Sequence, residues 1–360
     1  MTRRERLHRD YFHQEMDRPA VYSREWFPED DPSYDKLKKY LLENSEMKTY
    51  WPLKEVPSFS EDTYYENHDD DFRRKVTVVH TPAGAFRSTY LESLKGQPGL
   101  QETFFLKDVA DIQKYLMLPT PPLKFVHEAS SFFEADRAIG NKGIVSVSLG
   151  INPAGEAVTL FGSENFAIMS IMERDLIHSL CESKMKSILA RLKFIADNKI
   201  GPYFEMLGEE YLVPPLHGPK DFYDFNVKYD KPIIDFIHDI GGRIHIHSHG
   251  SVKDVIQGFV EMGTDVLHPF EAPPNGNITP QEAKQHARGK MCLEGNIQIA
   301  HMYESSQEQI REETVNLIDT VFDDRKGLIV SPTASPYIRG AGEKCFNNYK
   351  ILIDSVLRYK

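Results

Sequence analysis

Three histidines alternate in the run His245-Ile246-His247-Ser248-His249-Gly250. Side chains alternate along a strand, so all three share one face, with consecutive ones ~6.6 Å apart at ~3.3 Å of rise per residue. One ion or substrate atom is within reach of His247 and His249 together, whereas His245 sits a layer deeper. Acids end the neighbouring apolar runs: Glu205 in Phe204-Glu205-Met206-Leu207, Glu271 after Leu267-His268-Pro269-Phe270, and Glu294 in Cys292-Leu293-Glu294-Gly295-Asn296. Cys292 points the same way as Glu294, one layer below. Two imidazoles and a carboxylate are a common set for zinc, and also for non-haem iron or manganese. The metal-ligand expectation is therefore His247 and His249 with Glu294, or with Glu271 in its place. The same residues also read as a hydrogen-bonded polar mouth that works without metal. The expected catalytic groups are Glu294, Glu271, His245 and Glu205, as acids, bases or ligands. The expected substrate contacts are Arg24, as a bidentate carboxylate anchor, with Glu209, His268, Asn296 and Tyr337. Glu205, Glu209 and Glu210 together read as a cation site, a general base or plain surface acids. Arg87 and Arg339 read first as ordinary salt-bridge or loop residues.

These residues need elements to hold them. From about residue 140, short apolar runs alternate with longer amphipathic ones. Strands are expected at Ile144–Leu149, Pro202–Leu207, Arg243–His247, Val266–Phe270, Met291–Glu294 and Leu328–Ser331, with earlier ones at Pro19–Arg24 and Lys75–Thr81. Helices are expected at Ser170–Asn198, Asp221–Ile240, Ser251–Met262, Pro280–Ala287, Ser306–Phe322 and Gly342–Tyr359. Thr279-Pro280-Gln281-Glu282 reads as a capping box with proline at the first helical position, and Ser305-Ser306-Gln307-Glu308 as a second. Repeated strand–helix alternation implies parallel strands with crossover helices. About eight strands imply a single (β/α)8 barrel, an α/β fold whose chemistry sits at the C-terminal strand ends. Residues 1–360 read as one domain. Residues 1–70 supply an N-terminal helix, the first strand and polar loops, an irregular extension.

The formal net charge of −11 and pI of about 5.7 argue against nucleic acid or an anionic membrane as the main partner and leave a small molecule. Cys181, Cys292 and Cys345 form no CxxC pair and no disulfide framework, as a reducing compartment allows. The first residues lack the apolar stretch of a signal peptide, and no run approaches a membrane span of ~18 apolar residues. The expected location is the cytoplasm. No GxGxxG after a strand, P-loop or GxSxG is present.

The strand ends resemble the uroporphyrinogen decarboxylase superfamily, which includes that decarboxylase and cobalamin-linked methyltransferases acting on thiols. The resemblance covers nearly the whole chain. It begins at Arg4-Glu5-Arg6-Leu7 and Asp17-Arg18-Pro19-Ala20-Val21 and is clearest from about residue 155. It implies a (β/α)8 barrel. The methyltransferases' zinc motif His-x-Cys-Gly becomes His247-Ser248-His249-Gly250, and their later cysteine is absent near Thr333-Ala334. The decarboxylase's Met-Arg-Gln-Ala-Gly-Arg becomes Ser23-Arg24-Glu25-Trp26-Phe27-Pro28, with Arg24 at the first arginine and Pro28 at the second. Its late Gly-His-Gly becomes Pro332-Thr333-Ala334. The family's Leu-Gln-Gly-Asn becomes Leu293-Glu294-Gly295-Asn296. The resemblance implies an enzyme of metal-assisted methyl transfer, with zinc as the leading divalent metal and a corrinoid carried by a partner protein. The missing cysteines favour an oxygen or nitrogen ligand over a thiol, and a metal here would need Glu271, Glu294 or His268 in their place. The alternatives are a decarboxylase of a uroporphyrinogen-like or smaller carboxylic acid, and a non-catalytic corrinoid- or tetrapyrrole-binding protein. The family's barrels often dimerise, so a homodimer is a further expectation.

Overall fold

The computed structural model describes residues 1–24, 26–95, 99–119, 123–126 and 128–359. The chain makes two strands, β1 (Ala20–Val21) and β2 (Met47–Pro52), then leaves for a separate sheet of β3 (Ser60–Asn67), β4 (Phe72–Thr81), β5 (Gly84–Ser93) and β6 (Leu100–Thr103). It returns with β7 (Gly143–Ile151), β8 (Tyr203–Leu207), β9 (Arg243–His247), β10 (Val266–His268), β11 (Cys292–Ile297) and β12 (Leu328–Pro332). β1, β2 and β7 to β12 form one curled sheet in the order β1-β12-β11-β10-β9-β8-β7-β2, every neighbouring pair parallel. Its two ends meet where Glu46 N donates to Val21 O at 2.9 Å. The Glu46 carboxylate reinforces the seam by accepting from Val21 N at 2.7 Å, Arg6 at 2.6 Å and Arg18 at 2.9 Å. This is the architecture of a TIM-type barrel.

Strand alternation sorts the residues. Val145, Val147, Phe204, Met206, Ile244, Ile246, Leu267, Leu293, Leu328 and Val330 face outward into the main core beneath the helices. Ala20, Tyr22, Ile144, Tyr203, Val266, Cys292 and Ile329 face inward and pack with Leu7 and Tyr11 of the helix Arg3–Tyr11, capped by Thr2. That helix closes the N-terminal end with an apolar floor, each buried aliphatic or aromatic side chain contributing ~1.5–3 kcal/mol. Above the floor the inward positions turn polar: Lys48 and Tyr50, Ser146 and Ser148, Glu205, His245 and His247, His268, Glu294 and Asn296, Ser331.

Several expectations need correcting. Lys75–Thr81 is a strand, but it lies in the antiparallel sheet β3-β4-β5-β6. The second barrel strand is Met47–Pro52, within the stretch expected as polar loop. Arg87, on β5, is 3.9 Å from Glu66 and outside the barrel. The stretch expected as one helix over Ser170–Asn198 is two, Ser163–Met172 and Arg174–Asp197, separated at Glu173. A π-helical turn, Phe222–Val227, precedes the helix Lys228–Asp239, and Ser251–Met262 shortens to Ile256–Met262. The capping box of Thr279 with Glu282 forms as expected, and the second forms one residue further along than Ser305 with Glu308, on Ser306 with Gln309.

Candidate active site at the barrel mouth

Two polar layers stack above the floor. In the lower one, Lys48 on β2 donates its ammonium to Oε2 of Glu294 on β11, both fully enclosed. His245 Nε2 lies 3.5 Å from the same oxygen. Burial opposes ionisation of Glu294, but Lys48 and then His245 overcome it and hold the carboxyl well below the usual range. Burial pulls the His245 imidazole down to about 4, against the attraction of Glu294. Cys292, one layer deeper, donates its thiol to Asp10 Oδ1 at 3.5 Å.

In the upper layer, Arg24 reaches from just past β1 across to β9 and β10. Its Nη1 lies 2.7 Å from His247 Nδ1 and 3.4 Å from His268 Nδ1, and the two Nδ1 atoms lie 2.8 Å apart. The His247 and His268 rings stack at 5.0 Å and 19°. His268 Nε2 lies 3.3 Å from Pro332 O, an acceptor only, so that nitrogen carries the proton and Nδ1 is bare. A guanidinium only donates, so His247 Nδ1 is bare too. Two lone pairs therefore converge on one guanidinium nitrogen, which holds them together. Burial, with Arg24 nearby, keeps both imidazoles well below their ordinary range and neutral. Arg24 is buried and forms no ion pair with a carboxylate among the described residues, and its Nε and Nη2 make no hydrogen bond there. Its Cζ lies 5.9 Å from the exposed Trp26 ring.

Glu205, on β8, completes the cup. Burial pushes its carboxyl up to about 7, with Arg24, Ser148 and Lys48 opposing. On the rim, His249 Nδ1 and Gly250 N both lie 3.1 Å from Glu271 Oε2. The His247 and His249 rings sit 4.7 Å apart at 88°.

The expected site residues thus divide. Arg24, His245, His247, His268, Glu205 and Glu294 line the barrel axis. His249 and Glu271 pair on the rim. Asn296 is buried and donates to Phe270 O at 3.2 Å. Tyr337 is an exposed loop residue stacked edge-on against Tyr303 at 5.8 Å, and Arg339 donates to Glu29 O at 3.0 Å. Glu209 is fully buried beside Asp230 instead of lining the mouth. The metal set does not converge: Glu294 is held by Lys48 one layer below His247, and His249 is engaged with Glu271. Among the described residues no group of three His, Cys, Asp or Glu is placed to hold a metal ion. The residues as placed do not fit a metal held by His247, His249 and Glu294. Sequence reasoning missed Lys48, whose strand shows no alternation of apolar residues, and missed the central position of His268. A cavity of about 440 Å³ lies away from this cup, between the antiparallel sheet and the helix Arg174–Asp197.

Comparison with known proteins fits this architecture. The methyltransferase from Methanosarcina mazei matches 99% of this chain and 98% of its own, with a TM-score of 0.61 and 12% identity. A B12-independent methionine synthase from Shewanella sp. W3-18-1, solved with selenomethionine, matches 66% of this chain and 70% of its own at a TM-score of 0.45 and 12% identity. At such identities the likeness to the first speaks for the fold alone. No curated protein matches the sequence. Among the described residues no helix is long and apolar enough to cross a membrane. The sequence model described as uroporphyrinogen decarboxylase (URO-D) matches residues 90–336, and with its barrel intact around that span the chain belongs to the uroporphyrinogen decarboxylase family.

Proposed function

We propose that this chain is an enzyme that transfers a methyl group to a small anionic acceptor held by Arg24 at the barrel mouth. The observation that carries this reading is the buried guanidinium with no carboxylate partner among the described residues, set beside Glu205, whose carboxyl is pushed up to about 7. A buried cation with no carboxylate bonded to it is costly, and an acceptor's carboxylate, sulfonate or phosphate on Nε and Nη2 supplies the negative charge. The acceptor's heteroatom then faces Glu205. Ionised Glu205 takes the proton from its N–H, O–H or S–H. The freed lone pair attacks the methyl carbon, and the bond from methyl to donor breaks with its electrons left on the donor. The donor we infer is a corrinoid on a partner protein, which when bound supplies an electrophilic methyl. No step is routed through a metal, because the expected ligands do not converge.

Decarboxylation of a small acid is the second reading. It is favoured by the same carboxyl, half protonated near neutral pH and able to hand a proton to a developing carbanion. A porphyrinogen with several carboxylates finds too few cations here, since Glu294 already occupies Lys48. The test offers the protein methylcobalamin with 2-hydroxy-, 2-amino- or 2-mercaptoethanesulfonate and follows the visible spectrum of the corrinoid. Loss of methylcobalamin in wild type, abolished in Arg24→Met, supports methyl transfer. Release of CO2 from small carboxylic acids with no methyl consumption overturns it in favour of the second reading.

A further inference from the structure

A second buried cluster lies in the barrel wall behind the mouth. Glu209 begins the turn Glu209–Leu212 that follows β8, and Asp230 lies in the helix Lys228–Asp239. Asn152 caps the helix Pro153–Phe161 through Oδ1, and its Nδ2 donates to Asp230 Oδ2 at 2.9 Å and to Asn226 Oδ1 at 3.0 Å. Asn226, in the π-helical turn, donates to Glu209 O at 3.1 Å. All four residues are 0% exposed. Three carboxyl oxygens remain without any hydrogen-bond partner: both of Glu209 and Oδ1 of Asp230. No Lys, Arg or His side chain pairs with either acid among the described residues.

Two fully buried carboxylates, one feeling the other's charge and neither paired with a cation, cannot both stay ionised. A single proton removes the conflict, because a protonated carboxyl sets no charge against its neighbour. We propose that Glu209 and Asp230 form a proton-sharing acid pair that locks the turn after β8 into the barrel wall, and that this lock opens as pH rises. The groups around the pair leave it no counter-charge. Glu210 follows on the same turn, Asn152 and Asn226 are neutral, Cys181 approaches from the helix Arg174–Asp197, and Lys228 stands two residues before Asp230 without an ion pair to it. Burial pushes both carboxyls well above the usual range; the charge of Asp230 adds to the effect on Glu209, and the hydrogen bond from Asn152 opposes it at Asp230. The lock matters at the mouth because the same turn carries Glu210, which accepts from Gly208 N at 3.1 Å and feels the charges of His249 and Arg24.

The sign follows from linkage. In the folded chain the pair keeps a proton that unfolded carboxyls, with ordinary values near ~4, release at neutral pH. Stability from the pair is therefore full below that value and falls as pH rises. The test measures urea unfolding of the full chain from pH 5.5 to 9, beside Glu209→Gln. In wild type the folding equilibrium constant should lose up to about tenfold per pH unit from this one proton, and Glu209→Gln should remove that component. Infrared difference spectra should show the carbonyl band of a protonated buried carboxyl in wild type, reduced by one group in Glu209→Gln or in Asp230→Asn, so that either folded variant gives the readout. An unchanged pH slope in a folded Glu209→Gln overturns the proposal, as does the absence of the band. Stabilisation of wild type but not Glu209→Gln by added magnesium or calcium ions would also overturn it, since the pair would then be ionised around a cation. None of these readouts depends on the reaction at the mouth, so this lock and the methyl-transfer reading can fail separately.

Discussion

Lys48 and Arg24 are both cations inside one barrel, one on β2 and one just past β1, yet their surroundings differ. Lys48 meets the Glu294 carboxylate, whereas Arg24 meets two neutral imidazoles and no carboxylate among the described residues. The paired cation is satisfied by the fold and serves to hold it. The unpaired one leaves Nε and Nη2 without a hydrogen-bond partner among the described residues, and the proposed function assigns its counter-charge to a ligand. A buried ion with no partner is therefore the better guide to function here, and a buried ion pair the better guide to structure.

That contrast can be broken at Lys48 first. Lys48→Met strands the Glu294 carboxylate, and urea unfolding should show a loss of ~3–5 kcal/mol; adding Glu294→Leu should recover much of it. Equal losses in the single and double variants would show the pair is not the unit described. Arg24→Met should behave in the opposite way, with stability within ~1 kcal/mol of wild type and methyl transfer down by more than ~100-fold, about 2.7 kcal/mol of transition-state stabilisation. A third variant sharpens the role of the mouth. With Glu205 near 7 and acting as base, the rate should rise with pH through that value and fall about tenfold per unit below it; Glu205→Gln should lose that limb. The smallest effect is expected on the appended sheet, where the half-exposed pair Arg73–Glu92 spans 2.6 Å. Arg73→Ala should cost only ~0–1 kcal/mol, which sets the scale against which the buried pair is judged.

Much of the barrel was readable from the chain. Alternation placed His245 and His247 on one inner face, because a strand's period is fixed at two whatever its neighbours, and the capping boxes marked two helix starts. Periodicity could not say which sheet a strand joins, so Lys75–Thr81 looked like a barrel strand and is not. Met47–Pro52 carries Lys, Thr and Tyr where an outer stave shows branched apolar residues, so it did not read as a strand. Its Lys48 meets Glu294 across 246 residues of chain, a pairing that only closure of the ring creates. The expected ligand set failed for a related reason: inner-face membership was legible, but the depth of each residue follows from the stagger between strands. The register carries His245 through Val266 to Cys292 and so sets Glu294 level with His268, yet the tilt of the strands brings its carboxylate to Lys48 and within 3.5 Å of His245, away from His249. Arg24 could be read as a candidate anchor from its place after the first strand, while its contact with two imidazoles required the fold.

The most direct measurement is calorimetric titration of wild type and Arg24→Met with 2-hydroxyethanesulfonate at low ionic strength. Saturable binding to wild type, weakened by salt and lost in a folded Arg24→Met, is the expected result. Equal binding to both proteins, or none to wild type for this sulfonate and for acetate and phosphate alike, would contradict the guanidinium as the anchor on which the proposed chemistry turns.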